Sequence, residues 1–212
     1  PNSKQIKSNL GTIYLRMEEY EKAKNIFYEL SGQYPSEELY FFNLARAHFG
    51  LDEYQRAIEN YEKALKIKPV YHEVFINLGI IYTKLGDTTK SLNYYKKAIA
   101  ITPKESTVYY NMAILYGKLN RSGEALDAYQ RAIVEKPDYP EAYYNMARLY
   151  SRNGNENKSE QFYLKAIQLN PEYTNAYNNL AFLYEKKNNF LQCIDVLKKG
   201  IEKTHDLKLI NR

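Results

Sequence analysis

The sequence predicts an all-α chain, an α-solenoid of six antiparallel helix pairs, on three observations. Prolines recur at a fixed step: Pro35, Pro69, Pro103, Pro137 and Pro171 stand 34 residues apart, and Pro1 sits in the same register. Setting each of these prolines as position 32 divides the chain into six repeats, 4–37, 38–71, 72–105, 106–139, 140–173 and 174–207. Within that frame one position is always small, while others are nearly always aromatic, as expected of stacked supersecondary units that share a core.

The first helix of each repeat is read from positions 3, 4, 7, 8, 10, 11 and 14, which form one apolar arc at helical spacing. Position 8 carries Gly11, Ala45, Gly79, Ala113, Ala147 and Ala181. Position 7 carries Leu10, Leu44, Leu78, Met112, Met146 and Leu180. Position 4 is Phe41, Phe75, Tyr109, Tyr143 or Tyr177, with Lys7 in the first repeat. Position 11 is Tyr14, Tyr82, Tyr116, Tyr150 or Tyr184, with His48 in the second. A polar stretch at positions 15–17, such as Gly86-Asp87-Thr88, then breaks the pattern. The second helix follows from positions 20, 21, 24, 27 and 28. Position 24 is Phe27, Tyr61, Tyr95, Tyr129, Tyr163 or Leu197, and position 27 is alanine in four repeats. Proline at position 32 ends it, because its ring lacks an N–H and clashes with the preceding turn. Small residues allow close approach of helices and the aromatics fill the space beside them.

These residues together resemble the tetratricopeptide repeat family over 204 of the 212 residues. The resemblance implies a right-handed superhelix whose first helices line a concave groove. The whole chain, 1–212, is expected to be one such domain, with 208–212 a tail or the start of a capping helix. Pro1-Asn2-Ser3 match positions 32–34 of a preceding repeat, so a longer parent chain is expected. Departures from the family pattern are few. Tryptophan is absent, and the sixth repeat carries His205 in place of proline and Cys193 and Gly200 at packing positions. Its second helix is therefore expected to run on differently.

Chemistry is not expected of this segment. The three histidines, His48, His72 and His205, fall in separate repeats without metal-ligand spacing, and His48 reads as a packing residue with one polar handle. Cys193 stands where other repeats carry Ala or Ser and reads as a small buried residue. No phosphate loop, zinc-protease or serine-hydrolase motif occurs, so no enzyme, metal or cofactor is expected. No apolar run approaches the ~18 residues of a membrane helix. The composition, 44% hydrophobic and 26% charged, is that of an ordinary soluble chain. The compartment is open, with the cytoplasm favoured.

What remains is the face opposite the apolar arc of each first helix, positions 2, 5, 6, 9, 12 and 13. Position 6 is asparagine in every repeat: Asn9, Asn43, Asn77, Asn111, Asn145 and Asn179. Asparagine is a mediocre helix former, and an amide offers donors and an acceptor to an extended peptide. Position 5 brings Phe42, Tyr110 and Tyr144, either as pockets for ligand side chains or as rings partly buried against the next repeat. Arg46 and Arg148 occupy position 9, and position 13 adds Lys84, Lys118 and Arg152 among others. Seven basic residues against three acidic ones make this face positive. The arrangement fails to match the family subtype that clamps chaperone C-termini, since position 5 never holds lysine and position 6 never arginine.

The function expected is a protein-interaction scaffold that grips an extended peptide or partner segment, acidic or of mixed polarity, in an Asn-lined groove. A second reading makes the chain the substrate-recognition arm of a larger enzyme, since the Asn row resembles that of the protein O-glycosyltransferase for N-acetylglucosamine. RNA binding is the weaker alternative, because the charge is modest and interrupted. Self-association through the terminal repeats is a further expectation left open.

Overall fold

A computed structural model describes residues 2–205. Pro1 and residues 206–212, including the tail expected at 208–212, lie outside the described residues. Among the described residues there are twelve helices and no strand, the all-α solenoid architecture expected of stacked helix pairs. The chain falls into two compact bodies, residues 1–103 and 104–212. The N-terminal body pairs α1 (Asn2–Arg16) with α2 (Tyr20–Gln33), α3 (Glu38–Gly50) with α4 (Tyr54–Ile67) and α5 (His72–Lys84) with α6 (Thr88–Ile101). The C-terminal body pairs α7 (Ser106–Lys118) with α8 (Ser122–Glu135), α9 (Pro140–Arg152) with α10 (Glu156–Leu169) and α11 (Thr174–Lys186) with α12 (Phe190–Thr204). No helix is long and apolar enough to cross a membrane.

Each hairpin turns over three residues, one position earlier in the repeat than the sequence pattern suggests. The reason is position 15, which adopts a left-handed backbone in all six turns: Glu18, Asp52, Gly86, Asn120, Gly154 and Asn188 have φ between 57° and 79°. Asn, Asp and Gly tolerate that conformation, and in five of the six turns a backbone bond from position 16 to position 11 closes the first helix. Examples are Glu53 N–H to the His48 carbonyl at 2.9 Å and Asn155 N–H to the Tyr150 carbonyl at 2.9 Å. This is the 6→1 bond of a Schellman terminus. Second helices end two residues before proline, at Gln33, Ile67, Ile101, Glu135 and Leu169. Without a proline α12 runs one residue further, to Thr204, and His205 closes it at φ 53°.

The core shows why position 8 is small. A methyl group built on Gly79 would lie 2.5 Å from the Tyr95 ring, and one on Gly11 would lie 2.8 Å from Phe27. Positions 8 and 24 are therefore in direct contact inside a repeat. Ala45, Ala113 and Ala147 are fully buried, as are Tyr61 and Phe27. Burial of each such large side chain contributes about 1.5–3 kcal/mol. Where position 20 is serine in the third repeat, the Ser91 hydroxyl donates to the Gly79 carbonyl at 2.8 Å, so the polar substitution is satisfied inside the core. Cys193 is only half-buried, in contrast to the alanines it replaces, because α12 packs on one side alone among the described residues. Leu10 is 41% exposed for the matching reason at α1.

Candidate peptide-binding site

The position-6 asparagines divide by environment. Asn9 is exposed, Asn43 is buried, and Asn77, Asn111, Asn145 and Asn179 are half-buried. They are less open than a solvent-facing row would be, and two of them are tied to a ring at position 5. The Asn145 amide donates to the Tyr110 hydroxyl at 2.9 Å, and the Asn179 amide donates to the Tyr144 hydroxyl at 3.0 Å. The offset is 35 residues, so the amide of one repeat braces the tyrosine of the repeat before it. In the N-terminal body Phe42 holds the equivalent place 35 residues before Asn77, and a phenyl ring has no hydroxyl to accept from an amide.

Arginine at position 9 completes the motif by helical adjacency. The Arg148 guanidinium donates to the Asn145 Oδ1 at 3.4 Å and lies 5.6 Å from the Tyr144 ring centre. Arg46 repeats this in the N-terminal body, 3.4 Å from Asn43 Oδ1 and 5.8 Å from the centre of Phe42. Asn145 thus spends one N–H and one lone pair inside the protein and keeps the rest for a ligand.

The position-5 rings are held in aromatic clusters rather than standing free. Phe42 lies 5.0 Å from Tyr71 and 5.9 Å from Tyr61. Tyr110 lies 4.8 Å from Tyr139 and 5.8 Å from Tyr129. Tyr144 lies 4.9 Å from Tyr173 and 5.9 Å from Tyr163. Each pair is worth about 0.5–1.5 kcal/mol beyond its area. Tyr71, Tyr139 and Tyr173 all fall on position 34, at the N-caps of α5, α9 and α11. Their recurrence at one register was the signal that could have found them. Burial pushes the Tyr71, Tyr139 and Tyr163 hydroxyls up to about 12, and those of Tyr61, Tyr129 and Tyr173 further still. All stay protonated at neutral pH.

In the C-terminal body several expected residues converge. A cleft of about 370 Å³ between α7, α8 and α9 is lined by Ile114, Gly117, Lys118, Tyr129, Asn145, Arg148, Leu149 and Arg152. Three cations border it and no carboxylate does. Lys118, Arg148 and Arg152 are exposed, so their charges act on what approaches. The Tyr110 hydroxyl holds Asn145 at the cleft and the Tyr144 ring lies 5.6 Å from Arg148, while Asn111 and Asn179 lie half-buried on α7 and α11. In the N-terminal body Phe42, Asn43 and Arg46 cluster on α3, while Lys84 stands apart at the end of α5, 5.9 Å from the centre of Phe49. Asn9 on α1 accepts from Gln5 at 2.9 Å. Position 13 has no cation in the second repeat because Gly50 abuts the Tyr20 ring, which would lie 2.4 Å from any Cβ there.

The comparisons support the repeat fold. Tetratricopeptide repeat profiles match residues 71–133, residues 5–35 and 140–173, and residues 162–195. A related TPR profile matches 45–86 and 118–154. No curated protein matches the chain in sequence. Among solved structures, MamA protein is 26% identical with a TM-score of 0.73, over 79% of this chain and 92% of its own. PilW, described as a widely conserved type IV pilus biogenesis factor, is 20% identical with a TM-score of 0.79, over 100% and 98%. YrrB, described as a TPR protein with an unusual peptide-binding site, is 20% identical with a TM-score of 0.71, over 86% and 94%.

Proposed function

Since the chain belongs to the tetratricopeptide repeat family, we propose that it is a protein-interaction scaffold that takes an extended peptide segment carrying acidic residues. The observation that carries this reading is the cleft between α7, α8 and α9, with Lys118, Arg148 and Arg152 around one free face of Asn145 and no opposing carboxylate. The remaining N–H of Asn145 suits a peptide carbonyl, and the guanidinium groups suit a carboxylate, which an arginine fork can take with two bonds. Ile114, Leu149 and Tyr129 offer an apolar floor for one ligand side chain. The peptide-binding site named for YrrB supports the same use of this fold. Because the cations are exposed, each contributes little on its own, and their joint effect is steering and orientation.

The test is fluorescence anisotropy with a labelled peptide of alternating glutamate and leucine, against the wild type and a Lys118→Gln/Arg148→Gln/Arg152→Gln variant. Three exposed pairs at ~0.2–1 kcal/mol each predict a loss of about tenfold at low salt, fading as salt rises. Equal binding by the two proteins refutes the reading. A single-stranded oligonucleotide that binds more tightly than the peptide, with a steep salt slope lost in the variant, replaces it with a polyanion site.

A further inference from the structure

A second cleft, in the N-terminal body, lies where the third and fifth repeats carry a ring. In the third repeat, Tyr94 at position 23 stacks at 5.5 Å on Tyr82 and at 6.3 Å on Phe75. In the fifth, Phe162 stacks at 5.4 Å on Tyr150 and at 6.1 Å on Tyr143. A central ring thus fills the space between positions 4 and 11 on the outer side of the helix pair. In the second repeat those three positions are Phe41, Asn60 and His48. The short amide turns back on its own helix, donating to the Arg56 carbonyl at 2.8 Å, and fills none of that space. The preceding repeat is cut back at the same place. Position 28 is Leu65, Ile99, Ile133, Ile167 or Ile201 elsewhere but Ser31 in the first repeat. Leu65 belongs to the apolar cluster that includes Tyr82 and Tyr94, whereas the Ser31 hydroxyl donates to the Tyr28 carbonyl at 3.0 Å.

The result is a cleft of about 460 Å³ that contains Ser31, Phe41, His48 and Asn60, a volume within the ordinary range of ligand sites, ~300–1,000 Å³. Its rim is already arranged as though the ring were present. Lys97 at position 26 stands 5.1 Å from the centre of Tyr94, and Lys63 holds position 26 in the second repeat, 5.7 Å from the centre of Phe41. Lys90 and Lys158 at position 19 cover Tyr82 and Tyr150, and Arg56 holds position 19 here. Lys24 adds a third cation to the lining, which holds the carboxylate Glu59, while Glu53 stands 3.7 Å from Lys24 and 3.5 Å from Arg56. His48, 7% exposed, is fixed by its Nδ1 against Glu53 at 2.5 Å, a bond made in the ring plane, and it reaches the cleft as part of its lining.

We propose that this cleft is a docking site for an aromatic side chain flanked by acidic residues in a partner peptide, the ligand ring taking the place that Tyr94 and Phe162 fill in their own repeats. It would stack on His48 as Tyr94 stacks on Tyr82, with Lys63 over its face. Acidic neighbours would meet Lys63, and would compete with Glu53 for Arg56 and Lys24. The site lies outside the cleft between α7, α8 and α9 and stands without it.

The test is a chemical-shift titration of the full chain with the pentapeptide acetyl-Glu-Asp-Phe-Asp-Glu-amide, following His48, Phe41 and Ser31. Saturable shifts are expected, with binding at least about tenfold weaker for the same peptide with alanine at its centre, the usual scale for loss of a ring anchor. Asn60→Phe should fill the cleft from within and abolish the shifts. Lys63→Gln and Ser31→Leu, which change the rim and the far wall, should each weaken binding and decide the matter if Asn60→Phe folds poorly. The proposal is overturned if the alanine peptide binds equally well, or if the filled variant binds like the wild type. It is also overturned if phenylacetate binds as tightly as the peptide, which would mark a small-molecule site. Shifts that grow with protein concentration alone would mark a second copy of the chain as the occupant and overturn it as well.

Discussion

Replacing Gly79 with alanine is expected to destabilise the N-terminal body, although the same change normally stabilises a helix. The gain from removing glycine is about 0.5–1 kcal/mol. Against it stands the Tyr95 ring, two of whose carbons would lie 2.5 and 2.6 Å from the new methyl. Tyr95 is 1% exposed and is enclosed on every side, so the ring has no free volume into which to retreat. Forcing a methyl into such a site costs about 1–3 kcal/mol, and the net result is a loss of about 1 kcal/mol. Gly117 is the control: it lies in α7 with nothing within 4 Å of its added methyl, and Gly117→Ala should stabilise by up to about 0.5–1 kcal/mol. Urea unfolding followed by far-ultraviolet circular dichroism measures both. A double-mutant cycle adds Tyr95→Leu, which should recover part of the Gly79→Ala loss if the ring is its cause. A Gly79→Ala protein as stable as Gly117→Ala, or more stable than the wild type, would refute the contact between positions 8 and 24 on which the core reading rests.

Phe42→Tyr should supply Asn77 with the hydroxyl that Tyr110 and Tyr144 give their own asparagines, stabilising by ~0.5–1.5 kcal/mol in the same urea assay. No gain would mean that the brace is not transferable. Glu53 is held below the ordinary carboxylate value of 4.5, chiefly by its bond to His48 and then by Lys24 and Arg56. Its contribution is therefore present above that value and lost as pH falls through its lowered folded value. Glu53→Gln should flatten the acid limb of the stability curve below 4.5, and an unchanged limb counts against the pair. At the other extreme, Tyr71, Tyr139 and Tyr163 are raised to about 12, so the folded state excludes their phenolates while the unfolded state ionises them near 10. Stability should be complete below 10 and drain away between 10 and 12. An absorbance titration in which all tyrosines ionise together near 10 before unfolding would contradict this.

The helices, their register and the pairing of small with aromatic positions were legible in the sequence because a fixed period leaves few ways to place them. Position 8 had to be small once position 24 was a ring, and Gly79 against Tyr95 is that requirement in atoms. The turn was legible in kind but shifted by one, since the left-handed residue at position 15 decides where the first helix stops. Asn145 could be picked out as a site residue, but its brace on Tyr110 spans 35 residues and joins two repeats. No inspection of a single helix face reveals such a bond. Position 34 was passed over because Glu37 and Glu105 occupy it in two repeats and hide Tyr71, Tyr139 and Tyr173. The charged cleft was the least legible element. Lys118 and Arg152 face a common space, whereas Lys186 at the same register pairs with Glu156 at 3.0 Å and Lys84 lies near Phe49. The partners of a cation depend on side chains outside the period.

The tyrosine clusters also govern how the molecule handles light. With 23 tyrosines, eight phenylalanines and no tryptophan, its near-ultraviolet absorption and emission are dominated by phenol rings. Rings whose centres stand 4.8–5.9 Å apart in the Tyr110 and Tyr144 clusters are close enough to pass excitation among themselves. A single tryptophan introduced at Tyr139 would drain that energy and emit at longer wavelength, against a background with no other indole. Tyr129, which lines the charged cleft, belongs to the same cluster. A ligand settling there would change the colour and yield of that emission without any label, and the chain becomes an optical gauge of its own occupancy.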